Sequence, residues 1–263
     1  MKIHRLYEGD LNDTCQLDTR EEERSATVTL QDLEPADHIT FSPDISHLAS
    51  RTATEMKLWD TRSGTPVKTF KGENVVLAED ISVIAWLQDT TLVLRDVASN
   101  SLIARFESST TVVGLALSFD GLRVAAALSD GTVSLWGWGT RKCIASFGGY
   151  FRGLQFSPSG YALAYLSDHG GIQLSNGFNG KFIANLQYDS GRHVKFMFSR
   201  NGSRLASLAW TGPVDSLTLW NGENGEFISI AKDVEFWQLA ISGDGFLIAT
   251  GGWSRKVQLW SRR

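Results

Sequence analysis

An all-β chain of short four-stranded sheets stacked around a common axis is what this sequence predicts, on three observations. An apolar residue ahead of a turn returns six times, at Phe41 (FSPD), Leu77 (LAED), Leu117 (LSFDG), Phe156 (FSPSG), Phe198 (FSRNG) and Ile241 (ISGDG). About 18–22 positions after each lies a second landmark, at Trp59, Arg95, Trp136, Ser175, Trp220 and Trp260. About eleven residues beyond the first five of these comes a third, at Phe70, Phe106, Phe147, Leu186 and Ala231. Self-similarity at a period of roughly 40–45 residues is the signature of a blade-by-blade array.

Within each copy, runs rich in Val, Ile, Leu and Phe alternate with turn formers such as Pro43-Asp44, Asp120-Gly121, Asp130-Gly131, Asn201-Gly202 and Asn224-Gly225. Such spacing reads as four antiparallel strands, here a, b, c and d. Side chains alternate across a strand, so Met56 and Leu58 on strand c face one neighbouring sheet while Lys57 and Trp59 face the other. A single sheet cannot bury both faces. Sheets arranged radially can, which makes a β-propeller the expected architecture.

The copies are not uniform. The second has only Glu79-Asp80 in its first turn and Arg95 at the tryptophan position; the fourth has Ser175 there, and the fifth carries the longer segment from Trp210 to Asp215. Residues 1–34 read as a partial N-terminal blade or a closing strand, and 35–263 as one propeller domain. In one arrangement QLDTR at Gln16 to Arg20 echoes LWDTR at Leu58 to Arg62, Ala26 to Leu30 supplies strand d, and His4 to Glu8 supplies strand b, giving seven blades. In the other, Ala26 to Leu30 joins the strands of Glu235 to Trp260, giving six. The first is slightly favoured by the echo. Glu21-Glu22-Glu23-Arg24 is a solvated turn in either.

The trios LWD at Leu58 to Asp60, LWG at Leu135 to Gly137, LWN at Leu219 to Asn221 and LWS at Leu259 to Ser261, with their FSPDG-like turns, resemble WD-repeat (WD40) propellers over about residues 26–261. The LWDTRSG segment is similar to the repeat arrays of fungal NTPase-type signalling proteins. The resemblance implies an interaction scaffold or adaptor, with a sensor or autoinhibitory module of a larger NTPase-type protein as the alternative. Family members join a Gly-His pair, an Asp six residues before the tryptophan, a Ser/Thr and the tryptophan by buried hydrogen bonds. Only Asp130 holds the Asp position here, and no Gly-His pair occurs. The sequence therefore predicts a propeller held mainly by apolar packing.

Composition agrees with one all-β domain: 263 residues, 42% hydrophobic, 25 Gly and 9 Trp. The net charge of −4, without a Lys/Arg block, disfavours a nucleic-acid surface. Cys15 and Cys143 fit neither metal-ligand nor redox spacing, and no apolar run approaches the ~18 residues of a membrane span. A cytoplasmic setting is expected, with the nucleus left open. The glycosylation triplets at Asn12 and Asn201 are then silent. G-x-S-x-G, H-E-x-x-H, P-loop and G-x-G-x-x-G motifs are missing, and His4, His38, His47, His169 and His193 share no ligand spacing. No catalytic, cofactor or metal site is expected.

Function should then lie on surfaces. In an a-b-c-d meander the b–c turns and d–a connections emerge at one end. Trp86, Trp210 and Trp253 fall at or near b–c turns and Trp237 opens the last strand a, with Arg51, His169 and Arg255 as polar neighbours; such aromatics suit a protein-binding surface. The competing reading places the same rings in gaps between sheets. Trp138, in a c–d turn, is expected to pack locally at the opposite end. Trp59-Asp60-Thr61-Arg62 also resembles the WD-x-R signature of substrate receptors in cullin-type ubiquitin ligases, where Arg62 would meet the adaptor; a local Asp60–Arg62 turn contact is the alternative.

Overall fold

The computed structural model describes residues 3–10 and 38–262, the latter with breaks at 43–44, 53, 79–81, 89, 109, 139–141, 149–152, 168–170, 188–191, 211–214, 235–237 and 253–255. These residues form six four-stranded antiparallel sheets. The first holds β2 (His38–Phe41), β3 (His47–Arg51), β4 (Glu55–Asp60) and β5 (Pro66–Lys71); the second β6 (Glu73–Leu77), β7 (Val83–Gln88), β8 (Thr91–Asp96) and β9 (Leu102–Glu107). The third holds β10 (Val112–Leu117), β11 (Arg123–Leu128), β12 (Thr132–Gly137) and β13 (Lys142–Gly148); the fourth β14 (Gln155–Phe156), β15 (Ala162–Leu166), β16 (Ile172–Asn176) and β17 (Phe182–Leu186). The fifth holds β18 (Arg192–Phe198), β19 (Arg204–Trp210), β20 (Asp215–Asn221) and β21 (Phe227–Lys232). The sixth joins β22 (Gln238–Ile241), β23 (Leu247–Gly251) and β24 (Lys256–Arg262) to β1 (Ile3–Asp10), from the opposite end of the chain.

His4 to Glu8 is thus not strand b of a separate first blade: it pairs antiparallel with β24, His4 opposite Ser261 and Glu8 opposite Gln258. Ala26 to Leu30 and the QLDTR segment lie outside the described residues. First strands of successive sheets stand side by side, β6 by β10, β10 by β14 and β18 by β22. The all-β propeller architecture therefore follows from the strand pattern.

The alternation of side chains explains how the sheets stack. In the third sheet Val124, Ala126, Leu128 and Trp136 pack with Leu92, Leu94 and Phe106 of the second, while Ala125, Val133 and Leu135 pack with Phe156, Leu163 and Tyr165 of the fourth. The same division recurs between the other consecutive pairs of sheets. The third landmark of one copy meets the aromatic of the next: Phe106 lies 5.8 Å from Trp136, centroid to centroid, and Leu186 and Ala231 share cores with Trp220 and Trp260. In the five complete c–d ladders the register shifts at the second landmark, the extra residue of a β-bulge.

Where the tryptophan is missing, the aromatic has crossed to strand b. Trp59, Trp220 and Trp260 each donate Nε1–H to a hydroxyl on the adjacent strand: Ser50 at 2.8 Å, Ser207 at 2.8 Å and Thr250 at 3.0 Å. In the fourth sheet Tyr165 occupies that hydroxyl position and Ser175 the tryptophan position, and the Tyr165 hydroxyl donates to Gln173 at 2.8 Å and lies 3.3 Å from Ser175 Oγ. In the second sheet Trp86 and Arg95 are exchanged in the same way, with the guanidinium 5.9 Å from the ring centre. A large and a small or flexible group exchange places, so the space between sheets stays filled.

These bonds add to the apolar packing expected to hold the propeller in the main. The tryptophan-to-hydroxyl half of the buried network persists in three sheets. Asp130 does not extend it, since it accepts from the backbone and hydroxyl of Thr132 in its own turn.

Candidate interaction site

Five of the six a–b turns carry a serine just after the first landmark. Its hydroxyl oxygen accepts the N–H five residues on: His47 to Ser42 at 2.9 Å, Arg123 to Ser118 at 3.0 Å, Ala162 to Ser157 at 3.0 Å, Arg204 to Ser199 at 3.0 Å and Leu247 to Ser242 at 2.9 Å. Ala78 replaces the serine in the second copy. The backbone then turns through a left-handed residue: Gly121, Gly160, Gly202 and Gly245 have φ between +61° and +77°. The first copy places Ile45 there, at φ +53°. A β-branched residue is sterically opposed in that region, so the isoleucine is held at a local cost.

These turns frame a cavity of 620 Å³ at the a–b end of the axis. It draws Phe41, Leu77, Phe156, Phe198 and Ile241 from the first landmark, and Ile45, Phe119, Pro158 and Arg200 from the turns. Residues far apart in sequence converge because the strands a stand side by side and end together. Phe41 is 57% exposed and Ile45 69%, and Leu122, Phe246 and Leu247 are exposed in the same set of turns. Arg200 is exposed and has no hydrogen bond or ion pair among the described residues.

The wall beside the mouth is braced by Arg123. This arginine is 5% exposed, pairs with Asp120 at 3.0 Å, donates to the Gly160 carbonyl of the next sheet at 2.9 Å and lies 3.9 Å over the Phe178 ring. Burial opposes ionisation of Asp120, but the Ser118 hydroxyl, the Leu122 N–H and Arg123 together hold its carboxyl below the usual range. The Ser242 hydroxyl and the Phe246 N–H do the same for Asp244.

The b–c end is described in part. Trp210 stands 64% exposed at the end of β19, opposite Asp215, whose carboxyl is pushed up by burial. Trp86 is half-buried inside β7, 6.4 Å from Phe70, and fits because position 72 is glycine: a Cβ there would lie 2.4 Å from its ring. That ring belongs to the packing between sheets. Arg51 is half-buried at the end of β3; Trp237, Trp253, His169 and Arg255 lie outside the described residues. Trp138 is partly buried against the core between the second and third sheets. At the c–d end Arg62 is exposed and its N–H donates to Asp60 at 3.0 Å, the local turn contact.

Sequence reasoning passed over Ile45, Phe119 and Arg200, although two signals were available. Phe119 is an aromatic inside a turn, and Ile45 stands where four of the other five copies have glycine.

Comparison with protein families supplies the remaining observation. The model of the WD domain, G-beta repeat family matches residues 100–137 and 230–261. Each segment runs from the end of one sheet through strands a, b and c of the next, the offset at which landmarks meet across sheets. These two segments are WD repeats. No curated protein matches it. WD40 repeats generally mediate protein–protein contacts and scaffolding, and proteins built from them are typically non-catalytic. Among the described residues no group of three or more His, Cys, Asp or Glu is placed to hold a metal ion, and no helix is long and apolar enough to cross a membrane.

Proposed function

We propose that this WD-repeat chain is a non-catalytic protein-interaction scaffold whose working surface is the a–b end of the axis. The observation carrying this is Ile45: a β-branched residue held left-handed, largely exposed, beside exposed Phe41 at the axial cavity. Glycine would relieve the backbone, so the side chain has a use that outweighs local strain. Exposed apolar groups from several copies form a patch of the kind that partners cover.

The test is partner capture from native extract with wild type, Ile45→Gly and Phe119→Ser, folding being checked by circular dichroism. Loss of the same partners with both variants supports the reading; undiminished capture refutes it. Exposed Trp210 favours a second reading in which the b–c end binds, and Trp210→Ala in the same experiment separates the two. A sensor module within a larger NTPase-type protein would use either surface. The ligase-receptor reading requires that Arg62→Ala abolish adaptor binding.

A further inference from the structure

The cavity at the a–b end also constrains what can occupy it, given the scaffold reading above. Its lining is apolar apart from Ser42, Gln155 and Arg200, and its volume lies within the roughly 300–1,000 Å³ of recognition pockets, enough for one or two side chains. Arg200 is the charged residue of that lining. Any occupant that seals the mouth withdraws this guanidinium from water, which is costly unless an anion meets it.

Among the described residues of the nearby turns, no carboxylate is free to supply that anion. Asp120 is engaged by Ser118, the Leu122 N–H and Arg123. Asp244 is engaged by Ser242 and the Phe246 N–H. An occupant that carries its own anion meets this demand. Apolar surface also continues past the mouth, since Leu122, Phe246 and Leu247 are exposed in the same turns outside the cavity lining. A small acid would leave that surface uncovered; an extended chain would cover it.

We propose that the mouth takes a polypeptide segment of a partner in which an aliphatic or aromatic side chain enters the cavity and an adjacent carboxylate pairs with Arg200. A guanidinium suits this role because its planar fork can hold a carboxylate through two parallel hydrogen bonds.

The experiment uses the full chain and three fluorescein-labelled peptides, GSGFELGSG, GSGFKLGSG and GSGSESGSG, read by fluorescence anisotropy. Wild type is expected to bind the first about tenfold more tightly than the second, and the third not at all. Arg200→Glu, an exposed change, should reverse the order of the first two, while Ile45→Gly should weaken the first about tenfold without unfolding the protein. Equal binding of the first two peptides, weakened by Ile45→Gly, overturns the carboxylate inference and leaves the scaffold reading standing. No binding of any peptide, or binding that Ile45→Gly leaves unchanged, overturns the inference through its site. Competition by free 3-phenylpropionate as effective as by the first peptide places a small aromatic acid in the mouth and equally overturns it.

Discussion

Replacing Trp220 with Phe should cost more than the same change at Trp136, although both rings occupy the second landmark and both are nearly buried. The two substitutions remove similar ring area, so the transfer and cavity contributions largely cancel in the comparison. They differ in a buried hydrogen bond. Trp220 donates Nε1–H to Ser207 at 2.8 Å, and Ser207 is fully buried. The place of Ser207, two residues along strand b from the partner of the tryptophan, is taken in the third sheet by Ala126, two residues from Val124.

Trp220→Phe therefore leaves a buried hydroxyl without its donor, a penalty of about 1–3 kcal/mol that Trp136→Phe does not incur. Removing both partners, Trp220→Phe with Ser207→Ala, should recover part of that loss, giving a coupling energy of about 1 kcal/mol in the double-mutant cycle. Urea denaturation followed by far-ultraviolet circular dichroism supplies the free energies, and a thermal scan should separate Trp220→Phe from Trp136→Phe by about 2–4 °C per kcal/mol. A coupling indistinguishable from zero would refute the reasoning. So would an equal cost at the two sites.

The exchange of aromatic and small residue in the second sheet should be reversible: Trp86→Ser alone opens a gap beside Gly72 and costs about 3–5 kcal/mol, and adding Arg95→Trp should restore much of it in equilibrium unfolding. Gly72→Ala, forced against the Trp86 ring, should destabilise by about 1–3 kcal/mol by the same assay. Arg123→Met removes the charge facing Asp120 and the donor to Gly160; with Asp120 partly open to water, about 2–3 kcal/mol of lost stability is expected, and a loss below 1 kcal/mol would rule out a bracing role. The carboxyls of Asp60 (by the Ser63 N–H), Asp96 (by the Ser99 hydroxyl), Asp120 and Asp244 are held below their unfolded range, so their contribution is full above about pH 4 and is lost as pH falls through the folded values. Asp244→Asn should flatten that acid limb in a stability–pH profile. Asp215, raised by burial, has the opposite sign: its ionisation opposes folding above its folded value, so Asp215→Asn should stabilise at pH 7 and change little at pH 3.

The repeat, the strand order within a copy and the division of Met56 and Leu58 from Trp59 across the sheet were legible in sequence. Each is a local consequence of turn chemistry and two-residue alternation. The turn at Ser118 to Gly121 is of this kind, since its bonds close within a few residues. The pairing of β1 with β24 was not legible, because a strand's partner is chosen by what completes a distant edge and strand propensity carries no address. The buried tryptophan-to-hydroxyl bonds were missed for a related reason: Ser50, Ser207 and Thr250 look like ordinary strand residues until cross-strand register sets them beside an indole.

Sequence by itself determined that the chain is an array of antiparallel β units with a fixed internal rhythm, because turns and alternation act over a few residues. Tertiary structure decided which of its large apolar side chains fill gaps and which face water: Trp86 is absorbed beside Gly72, while Phe41, Ile45 and Phe119 are left at the axial mouth. Only the stacking of separate sheets sets those distances, and no local pattern encodes them.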